Sequence, residues 1–346
     1  MATWIFTAFA GDLSGRNMQE QATFLSDRLT NFGAPSEQPA FLRYEIGIGF
    51  LEFRGTNLTY DPGSPLIACL GGTLTEWIGG TAGPGAMNDM QVTGLNRAAK
   101  PVFDLLDQDK GRAAYMLLLS GNDTITGTVN GDTLIGGAGA DRVLGGGGND
   151  ALFGGGGNDV LKGGAGLNEL FGGGGADRLY AGAGGSLDGG GGADRLFGGA
   201  QSQTLHGRAG DDTINGSAGG LQYLFGGTGR DNLTGGLGAD YFVFGNEPAQ
   251  ASNADVVTDF SLAADKIALI NFLHLTVLTG PGGTLAASQF TRGSAARDAG
   301  DRIIHARDTG QIFYDPDGTG AQAQRLFATV DPGLALTHDS FLVLVL

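Results

Sequence analysis

GGAGADRVLGGGGNDALFGGGGNDVLKGG, Gly136 to Gly164, sets glycines in blocks of two to four, repeats the block every nine residues, and follows each block with an aspartate. Glycine loses more backbone freedom on ordering than any other residue. A chain written this way needs stability from outside its own local preferences. The unit reads G-G-x-G-x-D-x-U-x, with U apolar, and it runs well past the quoted stretch. Aspartates recur at Asp123, Asp132, Asp141, Asp150 and Asp159 with an unbroken spacing of nine, then at Asp177, Asp194, Asp212, Asp231 and Asp240. Position U holds Ile125, Leu134, Val143, Leu152, Leu161, Leu170, Leu179, Leu187, Leu196, Leu205, Ile214, Leu224, Leu233 and Phe242. Of the 66 glycines, 41 lie between Gly121 and Asp240, so the glycine belongs to one local architecture.

Each nonapeptide divides into a turn and a short strand. In the strand the middle residue, U, points inward and its neighbours point out. Glycine tolerates positive φ and carries no side chain, so a glycine turn gathers backbone carbonyls on one side. The aspartate adds a charged oxygen. Calcium is a hard cation that takes about six to eight oxygens and mixes carboxylates with carbonyls. The candidate ligands are therefore the ten aspartates above. The candidate carbonyls are those of Gly137, Gly139, Gly155, Gly157, Gly173, Gly175, Gly190, Gly192, Gly227 and Gly229.

On these residues, 121–244 resemble the parallel β-roll of the RTX calcium-binding repeat proteins, whose nonapeptide has this form. The resemblance implies two nonapeptides per coil and calcium between turns stacked on the same flank. It also implies a chain that stays unfolded until it meets calcium outside the cell. The stretch GADYFVFGNEPAQASNADVVTDFSLAADKIAL is similar to the segment that closes the roll in serralysin-type proteins. The terminal HDSFLVLVL resembles the acidic-then-apolar tail that type I secretion machinery recognises. The expected fold is mainly β: an RTX β-roll over 120–244, a mixed α/β N-terminal region over 1–119, and a β-rich C-terminal cap over 245–346.

Numbering the units from Asp123 exposes an asymmetry. The odd units keep every aspartate: Asp123, Asp141, Asp159, Asp177, Asp194, Asp212 and Asp231. The even units have Asp132 and Asp150, then Asn168, a gap at Gly185–Ser186, Gln203, Leu221–Gln222 and finally Asp240. A one-residue deletion near Ser186 and an insertion near Leu221 both fall in even units. Units of one parity stack on one flank, so the spacing predicts one complete calcium flank and one degraded flank. About seven calcium ions, mainly on the odd flank, would bring about +14 and nearly cancel the net charge of −16. The amides of Asn168, Gln203 and Gln222 are expected to hydrogen-bond where calcium is missing.

The acidic balance argues against nucleic acid, which needs a basic face. It points to cations, and the periodic placement of the acids sets this apart from a merely soluble surface. One cysteine, Cys69, excludes an intrachain disulfide. The first residues, MATWIFTAFAGDLSG, lack the basic start of a signal peptide, and no run reaches the roughly 18 apolar residues of a membrane span.

In the N-terminal region, FLRYEIGIGFLEFRGTNLTY reads as strands. LNRAAKPVFDLLDQDKGRAAYMLLL reads as a helix capping the roll. Asp255, Asp259 and Asp265 are either closers of the last coil or solvated loop acids, and FYDPDGTG reads as a hairpin turn.

The chain contains no H-E-x-x-H, no G-x-S-x-G and no phosphate loop, and its four histidines are scattered. The expectation is a secreted, extracellular, non-enzymatic calcium-binding protein with a structural, surface or adhesion role. The alternative is a small enzyme or toxin with its activity in residues 1–119. A carbohydrate or ice binder would need a regular outward aromatic or threonine array, and these rows are mixed. An outward row on the even strands, including Ile135, Phe153, Phe171 and Phe225, is either covered by the chain's own flanks or a surface for a protein partner or self-association.

Overall fold

The computed structural model describes residues 41–46, 49–61, 68–81, 88–98, 121–216, 219–245, 253–270 and 283–344. Before the repeat, β1 (Phe41–Ile46), β2 (Gly49–Asp61), β3 (Ala68–Thr81) and β4 (Asn88–Ala98) form an antiparallel meander. The stretch FLRYEIGIGFLEFRGTNLTY is strand, as its alternation predicts. The helix expected from Leu95 is corrected at its start, because Leu95 to Ala98 belong to β4. Pairing with β3, where Leu74 lies opposite Arg97, overrides local helix preference there. The remainder of that stretch, 99–119, lies outside the described residues.

From Thr124 onward the strands alternate between two parallel sheets. The odd units supply β5 (Thr124–Thr126), β7 (Arg142–Gly146), β9 (Val160–Gly164), β11 (Arg178–Tyr180), β13 (Arg195–Phe197), β15 (Thr213–Asn215) and β17 (Asn232–Thr234). The even units supply β6 (Thr133–Ala138), β8 (Ala151–Gly156), β10 (Leu167–Gly174), β12 (Gly184–Gly191), β14 (Gln203–Ala209), β16 (Gln222–Thr228) and β18 (Tyr241–Gly245). Each sheet takes its repeat strands from units of one parity only. The U residues lie in register from coil to coil, Leu152 against Leu170 in one sheet and Leu179 against Leu196 in the other. All fourteen are at most 2% exposed and form a continuous apolar file between the sheets.

The roll continues past Phe242. β19 (Asp255–Val257) extends the odd sheet and β20 (Lys266–Ile270) the even sheet, bringing Val257 and Ile267 into the core. The odd sheet then takes on β24 (Arg325–Thr329), β23 (Gln311–Tyr314), β22 (Ile303–Ala306) and β21 (Phe290–Arg292). The even sheet ends on β25 (Phe341–Leu344). DPDG lies in the loop between the antiparallel strands β23 and β24, so the hairpin reading holds. At the other end β4 pairs antiparallel with β5, Val92 opposite Ile125, so the meander and the odd units share one sheet. Among the described residues no helix is long and apolar enough to cross a membrane.

Candidate metal-binding flank

The odd aspartates form a ladder. The backbone N–H of Asp123 donates to Oδ1 of Asp141 at 2.7 Å. The same bond joins Asp141 to Asp159, Asp159 to Asp177, Asp177 to Asp194, Asp194 to Asp212 and Asp212 to Asp231, at 2.7–2.8 Å. One carboxylate oxygen is thus used to keep the turns in register. The other, Oδ2, of Asp159, Asp177, Asp194, Asp212 and Asp231 is buried and receives no hydrogen bond. A buried carboxylate oxygen without a donor is costly unless positive charge meets it.

The surroundings show what these oxygens face. A Cβ placed on Gly136 would lie 2.7 Å from Oδ2 of Asp141 and 2.6 Å from the carbonyl oxygen of Gly154, one coil further on. Gly154, Gly172, Gly189 and Gly207 repeat this, each between its own aspartate's Oδ2 and the next coil's carbonyl. Each of these five rungs therefore brings two acceptors, one charged, to a common point. Hydrogen bonding cannot reconcile two acceptors, whereas an oxygen-seeking cation can.

The candidate glycines stack beside this column, Gly137 opposite Gly155, Gly155 opposite Gly173 and Gly173 opposite Gly190. Gly155 and Gly157 have φ of 110° and 128°, and a side chain there would strike the carbonyls of Gly137 and Gly139. Arg208 takes the corresponding position between Gly190 and Gly227 at φ 82°. Its guanidinium holds Oδ2 of Asp188 through Nε at 2.8 Å and Nη2 at 2.6 Å. The glycine repeat gave no hint that this position tolerates an arginine.

The even flank is built differently. Its column reads Asp132, Asp150, Asn168, Gly185, Gln203, Gln222 and Asp240, by strand register. Asn168 Oδ1 accepts from the Asp150 N–H at 2.9 Å, as an odd aspartate would. Its Nδ2 donates to the Ala181 carbonyl at 3.1 Å, the oxygen that elsewhere faces a bare carboxylate. Gln222 Nε2 donates to the carbonyls of Gly219, at 2.8 Å, and Gln201, at 3.2 Å. The amide expectation therefore holds for Asn168 and Gln222. Gln203 departs from it, since neither side-chain amide atom finds a partner.

Asp132 Oδ2 is occupied by the N–H and hydroxyl of Thr128. Asp150 and Asp240 keep a buried Oδ2 without a donor. Turn pairing also differs. Beyond Gly146 opposite Gly164, the repeat strands of the odd sheet shrink to three residues, while the even turns still stack through backbone bonds such as Ala183 N–H to the Gly164 carbonyl at 2.9 Å.

The family model of the RTX calcium-binding nonapeptide repeat matches four times, over residues 119–152, 153–187, 188–220 and 222–247. These residues are RTX repeats. Repeats of this family bind calcium and typically occur in secreted proteins. Among solved structures, the chain is similar to the AlgE6R3 subunit of the Azotobacter vinelandii mannuronan C5-epimerase. That likeness has 25% identity over 43% of this chain and 77% of that one, with a TM-score of 0.28. No curated protein matches.

The RTX roll holds several of its buried aspartates well above their ordinary titration range. Burial, followed by the charge of neighbouring aspartates, lifts Asp159, Asp177 and Asp194 to about 6 and Asp212 to about 7, with backbone hydrogen bonds pulling the other way. On the even side Asp240 rises to about 6 for the same first reason.

Two residues extend the columns beyond the repeat motif. Asp255 Oδ1 accepts from the Asp231 N–H at 3.1 Å, and Asp265 Oδ1 from the Asp240 N–H at 2.9 Å. They stand 24 and 25 residues after their partners, outside the nonapeptide period. The only sequence signal for them is an aspartate beside a short apolar strand, in DVV and DKI. Asp259 instead accepts from the N–H groups of Gly235 and Gly236, both at 2.8 Å.

Proposed function

We propose that this chain is a secreted calcium-binding protein whose roll folds when cations occupy the odd flank, and that its role outside the cell is structural, at a surface or in adhesion. The observation that carries the reading is the contrast at one position. On the odd flank a donorless Oδ2 faces a carbonyl, while on the even flank Asn168 places an N–H against that carbonyl. Seven ladder bonds run from Asp123 to Asp255, which supports about seven ions, with Asp150 offering a further cradle on the even side. The listed glycine carbonyls would complete each shell. A hard cation would supply the charge neutralisation that these turns lack.

Export before folding fits the same picture. The terminal tail forms β25, with Phe341 and Val343 buried against β20. Secretion machinery that reads this tail must meet it unfolded. Extracellular modules bind calcium at about 0.1–1 mM, far above cytosolic levels, so folding would wait until after export. The pairing of β4 with β5 favours a capping role for the N-terminal region over a separate catalytic one.

On the even sheet Ile135 is 37% exposed, Phe153 and Phe171 stack at 4.9 Å, and Phe225 stacks on His206 at 4.2 Å. That apolar row is the surface we assign to a protein partner or a second copy.

The test is a calcium titration of chelator-treated full-length protein, followed by far-UV circular dichroism with bound ions counted by calorimetry. A cooperative gain of β-structure with about seven ions is expected. A count near twelve would mean that the even flank also binds throughout, and an unchanged spectrum would overturn the reading.

A further inference from the structure

We propose that the outward face of the odd sheet binds an acidic polysaccharide through a file of cations on β7, β9, β11 and β13. Such binding needs from the calcium reading above only that the roll is folded. Between residues 121 and 244 the basic residues are Arg142, Lys162, Arg178, Arg195, Arg208 and Arg230. The first four stand at outward positions of strands that are consecutive in the odd sheet, Arg142 on β7, Lys162 on β9, Arg178 on β11 and Arg195 on β13. Each is exposed. No outward residue from β5 to β17 is acidic. In a chain of net charge −16, this face is locally basic.

The three arginines are not used within the molecule. Among the described residues the side chains of Arg142, Arg178 and Arg195 form no hydrogen bond or ion pair. The aspartates that precede them, Asp141, Asp177 and Asp194, belong to the buried flank and are at most 2% exposed. Arg208 is the contrast, because on the even sheet its guanidinium is held by Asp188. Arg178 also lies directly opposite Arg195. Like charges opposite each other on adjacent strands destabilise a sheet. An arrangement that costs stability and has no internal partner calls for an external anion.

The spacing selects the kind of anion. Neighbouring strands lie about 4.8 Å apart, so the face offers one cation per step of that length along the roll. A chain of acidic sugars carries its carboxylates or sulfates at a comparable repeat, and guanidinium groups suit such oxyanions through paired N–H bonds. An extended acidic peptide returns its side chains to one face only about every 6.7 Å. Single-stranded nucleic acid stacks its bases on open aromatic faces. Here Tyr180 lies between the Phe197 ring, 4.8 Å away, and Lys162 Nζ, 5.3 Å from its centre. A bilayer interface needs apolar groups that enter it, whereas Leu144, Val160, Tyr180 and Phe197 are half-buried in the sheet surface.

The experiment uses the full chain at saturating calcium, with heparin as the acidic polysaccharide, dextran as a neutral one and phosphatidylglycerol vesicles as a lipid surface. Binding is read by calorimetry over a series of salt concentrations, and bound calcium is counted in the same samples. Heparin should bind and dextran should not. Heparin affinity should fall with salt at a log–log slope of about 3 to 4, as expected when four cations neutralise a polyanion. Arg178→Gln combined with Arg195→Gln should weaken heparin binding about tenfold or more and lower the slope by about two. The calcium count should hold, and the melting temperature should not fall, because the opposed pair is relieved. Arg230→Gln makes an equal change of charge away from this face and should leave heparin binding within about twofold. Should the double variant not fold, Arg178→Gln alone, with a slope lower by about one, still decides. No heparin binding by the calcium-loaded protein, equal binding by the double variant, or a preference for the vesicles would overturn the inference and leave the calcium reading standing. Heparin binding by a chain that takes up no calcium would do the reverse.

Discussion

The two flanks of the roll share one nonapeptide, one strand spacing and one apolar core, yet at Asn168 the even flank ends its turn in the opposite way from the odd one. On the odd flank Asp177 opposes its Oδ2 to the Gly189 carbonyl, acceptor against acceptor. On the even flank Asn168 opposes an N–H to the Ala181 carbonyl, donor against acceptor. The Leu and Ile file is equally buried on both sides, so the difference does not lie in the core. It lies in whether the chain closes its own turn or leaves the closure to a cation. The even flank closes its own turns in part, and it also tolerates the register changes at Gly185 and Leu221, where the odd flank has no loss.

The largest expected effect is on the calcium-free chain as pH changes. In the folded roll Asp159, Asp177 and Asp194 titrate near 6, Asp212 near 7 and Asp255 near 8, against an ordinary value of 3.8, chiefly because they are buried. Between the ordinary and the raised values the folded state binds more protons than the unfolded state. Its stability therefore falls as pH rises through that window. In chelator, the far-UV β signal should be stronger near pH 5 than near pH 8. With calcium the trend inverts, because ions and protons compete for the same oxygens, so the calcium midpoint should drop as pH rises. A chelated protein that is no more ordered in mild acid would break the view that unneutralised carboxylates are what the odd flank lacks.

Glycine substitutions sharpen the comparison at single turns. Gly154→Ala places a methyl against Oδ2 of Asp159 and the Gly172 carbonyl, so it should cost about 1–3 kcal/mol and remove one bound ion. Gly163→Ala places it against Nδ2 of Asn168 and the Ala181 carbonyl. It should cost a similar amount while leaving the ion count unchanged. Gly156→Ala meets nothing within 4 Å and should stay within about 0.5 kcal/mol of the wild type. Thermal melts with and without calcium, beside ion counting, separate the three. An ion lost in Gly163→Ala would mean that the even flank binds metal where its amide sits.

Most of this was legible in the residues themselves. The nonapeptide period named the sheets, the buried file and the aspartate ladder, because a fixed repeat forces stacked positions into one environment. The parity count separated the flanks before any coordinates. What escaped had no period to reveal it. For Asp255 the residues left two readings open, closer or solvated acid, because it joins the column through a connection of irregular length, and Arg208 holds a glycine conformation that its residue type would not suggest. The helix expected after Leu95 began wrongly because tertiary pairing with β3 outweighs propensity at Leu95–Ala98.

With calcium present, Asn168→Asp gives a small net effect and the closest comparison. The new Oδ1 would still accept from the Asp150 N–H, but the donation to the Ala181 carbonyl would be lost. Without calcium the cost should be about 1–3 kcal/mol, the penalty of a buried acceptor left unmet. With calcium one further ion should bind and recover that loss, if the side chain alone decides the character of the flank. The column argues for only partial recovery, because Gly185, the next residue in it, brings no carboxylate. Calorimetric ion counts and melting temperatures of Asn168→Asp at saturating calcium therefore divide two causes. An added ion with full recovery assigns the flank to its amide. An unchanged count with lower stability assigns it to the missing carboxylate at Gly185, the next position in the column.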